Sequence, residues 1–132
     1  MTVAVTAVVV LLVGMLQTLL GGLLVQRVFQ VVDRRDPVRP GADDPGLLQG
    51  AASQLRGGAW IGGLERLAIY TAILAGYPEG IAITLAVKGL ARYPELAATT
   101  SGAAERFIIG TFTSVLVAVA AAGVAHALIG LL

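Results

Sequence analysis

Apolar positions dominate both ends of the chain. Residues 1–26 carry no charged side chain, and neither do residues 107–132. Each run holds 26 residues, about 39 Å of helix at ~1.5 Å per residue, against a hydrocarbon layer roughly 30 Å thick. A single short segment satisfies its own N–H and C=O groups in lipid only as a helix. The pattern therefore predicts spanning helices over about 3–32 and 102–131. A secretory signal opens with a basic region and a shorter apolar core. Here the first basic residue, Arg27, follows the apolar run, so the first helix is expected to be uncleaved.

Polar residues gather in the interior. Asp33, Arg34, Arg35, Asp36, Pro37, Pro40, Gly41, Asp43, Asp44, Pro45 and Gly46 mark a loop over 33–57, within which 47–55 could form a short helix on the membrane surface. Asp43 and Asp44 read as a solvated turn, since a calcium loop needs more oxygen ligands at fixed spacing. Two mixed segments follow. Residues 58–77 are apolar apart from Glu65 and Arg66, and 79–94 contain Lys88 and Arg92. If both cross the membrane, the fold is an all-α, polytopic helical bundle of four transmembrane helices forming one domain over 1–132. The alternative is two spans plus a re-entrant hairpin turning at Pro78. The segment 79–94 makes only about 24 Å of helix, which thinning and snorkelling accommodate.

Composition sharpens the membrane reading. Hydrophobic residues are 57% of the 132, charged residues 13%, and the mean hydropathy is +0.86; soluble domains carry roughly 25% charged residues. A net charge of +1 argues against nucleic acid as a partner. The absence of cysteine excludes disulfides and thiolate metal sites, and the single His126 makes no histidine metal site alone, so no metal or cofactor is expected. Orientation follows the basic residues. Arg27, Arg34, Arg35, Arg39, Arg56, Arg66, Lys88, Arg92 and Arg106 all fall on one side or in its half of the bilayer. That side is expected to be cytoplasmic, with both termini outside and the loop 33–57 inside.

Charges within membrane segments face the protein interior and are functional candidates by default. Glu65, Arg66 and Lys88 lie furthest from helix ends and are the candidates for a substrate or ion path. Arg92, Glu95, Glu105 and Arg106 lie nearer the ends and fit a charged network that pins helices, with Arg92 and Arg106 snorkelling outward. Thr84, Lys88 and Arg92, spaced by four, share one helix face. On the first helix Gly14, Thr18, Gly22, Gln26 and Gln30 also recur every four residues, with Gln17 and Gly21 beside them. Such a stripe suits close helix packing. Gly58 and Gly62, and Ala118 and Ala122, supply partner faces, and a water-lined path past Gln17 and Thr18 is the sharper alternative. Trp60 reads as an interface anchor and His126 as a structural histidine.

Two echoes punctuate the chain. Glu65-Arg66-x-x-Ile69-x-Thr71 matches Glu105-Arg106-x-x-Ile109-x-Thr111, as two helical hairpins related by an axis along the membrane normal would give. Tyr77-Pro78-Glu79 and Tyr93-Pro94-Glu95 bracket the third helix. The runs G-G-A-W-I-G-G-L-E-R-L-A-I-Y, A-V-K-G-L-A-R-Y-P-E-L and A-E-R-F-I-I-G-T-F-T-S resemble the membrane-embedded part of small bacterial integral membrane proteins of unassigned activity. The resemblance covers about 57–115. It implies that Glu65, Arg66, Lys88, Arg92, Gly110 and Thr111 belong to a shared pattern, and it implies no activity.

No catalytic motif is present: there is no G-x-S-x-G, H-E-x-x-H or phosphate-binding loop. The expected function is a small oligomeric channel or transporter, a homo-oligomer in the lipid bilayer whose cytoplasmic vestibule carries Glu65, Arg66 and Lys88. The alternative is a non-transporting scaffold or accessory subunit that recruits a cytoplasmic protein partner through 33–56. A lipid-modifying enzyme ranks third.

Overall fold

The computed structural model describes residues 2–35, 45–97 and 101–131. Among them the chain is wholly helical. It forms α1 (Thr2–Arg35), α2 (Pro45–Leu74), α3 (Glu79–Ala97) and α4 (Ser101–Gly130). Two of the helices, over Val3–Val32 and Ala104–Gly130, are long and apolar enough to cross a membrane. α2 carries Glu65 and Arg66 within its apolar stretch, and α3 carries Lys88 and Arg92.

Four boundaries differ from expectation. α1 runs on to Arg35, three residues into the expected loop. α2 begins at Pro45, so 45–57 is the continuous start of α2 where a loop, with at most a separate short helix over 47–55, was expected; proline suits a first helical turn, where its missing N–H has no partner to lose. The rest of that loop, 36–44, lies outside the described residues. α2 also stops at Leu74, three residues early. Gly76 adopts φ +66°, its N–H donates to Ile73 O (3.1 Å), and the Tyr77 N–H donates to Ala72 O (2.8 Å). This paired 5→2 and 6→1 bonding is a Schellman cap, and Pro78 then prevents the helix from continuing. Finally, α3 runs through Pro94 to Ala97. A proline this near a helix end removes one hydrogen bond without breaking the segment.

α1, α2 and α4 pack against one another and form the core; α3 lies against α2, touches α4 slightly and does not reach α1. The interior is built of small and polar residues. Gly14, Gln17 and Gly21 of α1 are buried, as are Ser114, Ala118, Ala122 and Ala125 of α4 and Glu65, Arg66, Ile69, Tyr70 and Ala72 of α2. Tyr70 packs with Ala122 and Ala125, joined by Val10 and Val13 of α1. The large apolar side chains point outward instead: Leu11 is 71% exposed, Met15 63% and Leu116 65%. Water-soluble domains bury such residues first, whereas bundles in lipid gain nothing by hiding leucine and place small residues at helix contacts.

The glycine stripe on α1 is partly corrected. Gly14 is buried and Thr18 and Gly22 are half-buried, but Gln26 and Gln30 are exposed. Steps of four overshoot the helical repeat by about 40° each, so the stripe rotates off the contact. The buried line is Gly14, Gln17 and Gly21, spaced by three and four.

Candidate functional site

Two helix crossings bring the polar residues together. A Cβ on Gly14 would lie 3.2 Å from the Tyr70 ring, and one on Gly21 would lie 2.6 Å from Arg66 Nε and 2.7 Å from its Cδ. Only a bare backbone lets α2 lay these two long side chains across α1. Once there, each finds a backbone acceptor. The Tyr70 hydroxyl donates to Val10 O (3.0 Å) and Arg66 Nη2 donates to Thr18 O (3.0 Å). The Thr18 hydroxyl turns back into its own helix, donating to Met15 O at 2.7 Å. It is the carbonyl of Thr18, not its side chain, that meets α2.

Glu65, adjacent to Arg66, faces α3. Lys88 Nζ donates to Glu65 Oε2 in an ion pair whose carboxylate side chain is 3% exposed and whose lysine is 18% exposed. The ammonium also lies 5.6 Å from the centre of the Phe107 ring on α4, within the range of a cation–π contact. The three path candidates Glu65, Arg66 and Lys88 therefore gather at one level of the bundle, held from α1, α3 and α4. Thr84, Lys88 and Arg92 share a half-buried face, with the Thr84 hydroxyl bonded to Gly80 O at 2.7 Å. A Cβ on Gly80 would meet that of Ala72 at 2.9 Å, so α3 approaches α2 closely at the turn as well.

Several buried polar atoms have no hydrogen-bond partner among the described residues: both amide atoms of Gln17, Glu65 Oε1, Arg66 Nε, Thr111 Oγ1 and Ser114 Oγ. Gln17 is 5% exposed and Ser114 2%. They come from α1, α2 and α4, the three helices of the core. Gln17 belongs to the α1 stripe read as a close-packing face, with a water-lined path as the alternative. Ser114 was not singled out; its register with Ala118 and Ala122, every fourth residue, was the available signal.

The remaining charged candidates stand elsewhere. Glu105 and Arg106 are exposed at the start of α4, and Arg106 lies 5.6 Å from the Phe29 ring centre on α1. The Phe29 ring in turn occupies the space beside Gly110, where a Cβ would meet it at 3.1 Å. Arg92 is half-buried. The side chain of Glu95 and the packing of Gly58 lie outside the described residues. Gly62 is half-buried, with the Arg66 guanidinium over it. The two E-R-x-x-I-x-T segments occupy unlike environments: the Glu65–Arg66 pair is buried and the Glu105–Arg106 pair exposed.

Among the described residues no group of three His, Asp or Glu side chains could hold a metal ion. A groove of about 360 Å³ runs between α1 and α2, lined by Thr18, Leu19, Trp60, Gly63, Leu64 and Leu67. It is almost wholly apolar. No protein-family model, curated protein or solved structure matches this chain, so its chemistry rests on its own geometry.

Proposed function

We propose that this chain is a membrane-embedded four-helix bundle that passes a small hydrophilic solute through its polar lining, with the Glu65–Lys88 pair as the constriction. All four helices cross. α3, at 19 residues, is about 28 Å long, close to the hydrocarbon thickness. Basic residues then share the cytoplasmic face, and Glu79 stands at the opposite one. One observation carries the functional reading: buried polar atoms of Gln17, Glu65, Arg66, Thr111 and Ser114 lack partners among the described residues. Each unsatisfied group inside a bilayer costs several kcal/mol. A bundle that retains this many is one whose interior takes up water or a solute.

The loose seating of α3 against α4 supports assembly of several copies, because a second protomer would close the open side beside Lys88. Flux through the purified chain in liposomes is the test. Glu65→Gln and Lys88→Met variants that still fold should change the rate or selectivity of solute entry. Unchanged flux in both would remove the pair from the path, and absence of flux in the unmodified chain would remove transport altogether.

A further inference from the structure

Deepening that reading, and resting on it only for the claim of passage, we propose that the solute is a small inorganic anion and that Arg66 with Gln17 forms its binding site. The case begins with charge. At the level where the helices cross, two cations, Arg66 and Lys88, share a single carboxylate, Glu65. Lys88 engages that carboxylate directly. Arg66 is 4% exposed, and its hydrogen bond goes to a neutral carbonyl, Thr18 O. A guanidinium stays protonated at any physiological pH. The buried group therefore carries one positive charge beyond what its own carboxylate balances, in surroundings where an uncompensated charge is costly.

Two of the unpartnered atoms, on α1 and α2, are donors; the acceptors Gln17 Oε1 and Glu65 Oε1 are the ones an anion would leave to water. Arg66 Nε keeps an N–H without an acceptor, and the Gln17 amide keeps two donor hydrogens. Arg66 Nε faces α1 at Gly21, where a Cβ would come within 2.6 Å. Gln17 stands one turn away on the same buried line of α1. A guanidinium N–H at Gly21 and an amide NH₂ one turn along the same helix are donors that an anion would take. Water would satisfy the hydrogen bonds but leave the charge. A cation would meet a site already positive. The confined position between helices, rather than at a helix end, favours a monatomic or similarly small anion over a lipid head group.

Bromide, with sodium gluconate holding the ionic strength constant, is the probe. Thermal unfolding of the full chain in detergent is followed as bromide replaces gluconate, and halide binding is read separately from the broadening of the ³⁵Cl resonance. A ligand bound only by the folded state raises the midpoint in a saturable way. The site predicts such a saturable rise. Gln17→Leu, which removes donors but no charge, should weaken it. Arg66→Gln should abolish it. Glu65→Gln should tighten it by roughly tenfold, since removing the one negative charge strengthens attraction to an anion at short range. That gain cannot come from misfolding. A midpoint that follows ionic strength alone, or affinity unaltered by Glu65→Gln and Gln17→Leu, overturns the proposal. Liposome flux separates the two readings. Saturable halide binding without flux upholds the anion site and removes transport. Cation-selective flux without any halide effect upholds transport and overturns the anion site.

Discussion

Lys88 donates to Glu65, and this ion pair ties α3 to the rest of the molecule. Among the described residues α3 does not approach α1 and meets α4 only slightly; it packs along α2, with the pair fastening its middle and the close approach of Gly80 to Ala72 its start. Removing one partner leaves the other charge buried and unmatched. Lys88→Met is expected to destabilise the folded state by about 3–5 kcal/mol, and replacing both residues with Leu and Met should recover most of the loss. A double-mutant cycle on unfolding in detergent measures this coupling. Additive single effects would show that the two side chains do not stabilise each other.

A second expectation concerns the turn between α2 and α3. Gly76 has φ +66° with open space around its Cβ position, so an alanine there meets no neighbour and its only penalty is backbone strain. Gly76→Ala should cost about 1–2 kcal/mol. Gly89 also has open space around it but lies inside α3 with ordinary helical geometry, and Gly89→Ala should stabilise by roughly 0.5–1 kcal/mol. Opposite signs in the same unfolding assay are the expected outcome. Equal signs would mean that the left-handed cap is not what ends α2.

How much of this was legible beforehand depends on which force decides each feature. The outer helices were legible because an uninterrupted apolar run of 26 residues has few conformational options in lipid. The gathering of Glu65, Arg66 and Lys88 was legible as well, since charges embedded in apolar segments must turn inward. Helix ends were less so. Pro78 was visible as punctuation, but the stop at Leu74 is set by Gly76 two residues earlier, through a dihedral that the sequence does not print. The Arg66–Thr18 and Tyr70–Val10 contacts were not legible, because each ends on a backbone carbonyl and any residue supplies one. The burial of Gln17 in place of Gln26 and Gln30 depends on the 40° drift per step of four, which a count of spacings alone passes over.

The Gly21 contact makes a third prediction. A Cβ there would meet Arg66 at Nε and Cδ, in the middle of the side chain rather than at its free tip. Gly21→Ala should displace the guanidinium and break its bond to Thr18 O, at a cost of about 1–3 kcal/mol. Tyr70→Phe, which removes only the hydroxyl bonded to Val10 O, should cost about 0.5–1.5 kcal/mol, because that carbonyl keeps its own helical partner. The ranking Gly21→Ala above Tyr70→Phe in loss of unfolding free energy is the check; the reverse order would mean that Arg66 relaxes out of the crossing without penalty.

Topology has its own test, and the sequence makes it simple: there is no native cysteine to remove. If α2 and α3 both cross, Glu79 at the start of α3 is exposed on the outer face, about 20 Å of helix away from Arg92. If they form a re-entrant hairpin, the turn over 75–78 and Glu79 with it sit within the membrane. An impermeant maleimide applied to intact cells separates the two. Glu79→Cys should label as readily as Leu131→Cys near the end of α4, while Arg34→Cys near the end of α1 should label only after the cells are permeabilised. Protection at position 79 with labelling at 131 would establish the hairpin. Labelling at 34 with protection at 131 would invert the whole molecule while leaving the number of crossings to position 79, which should then label from the inside alone.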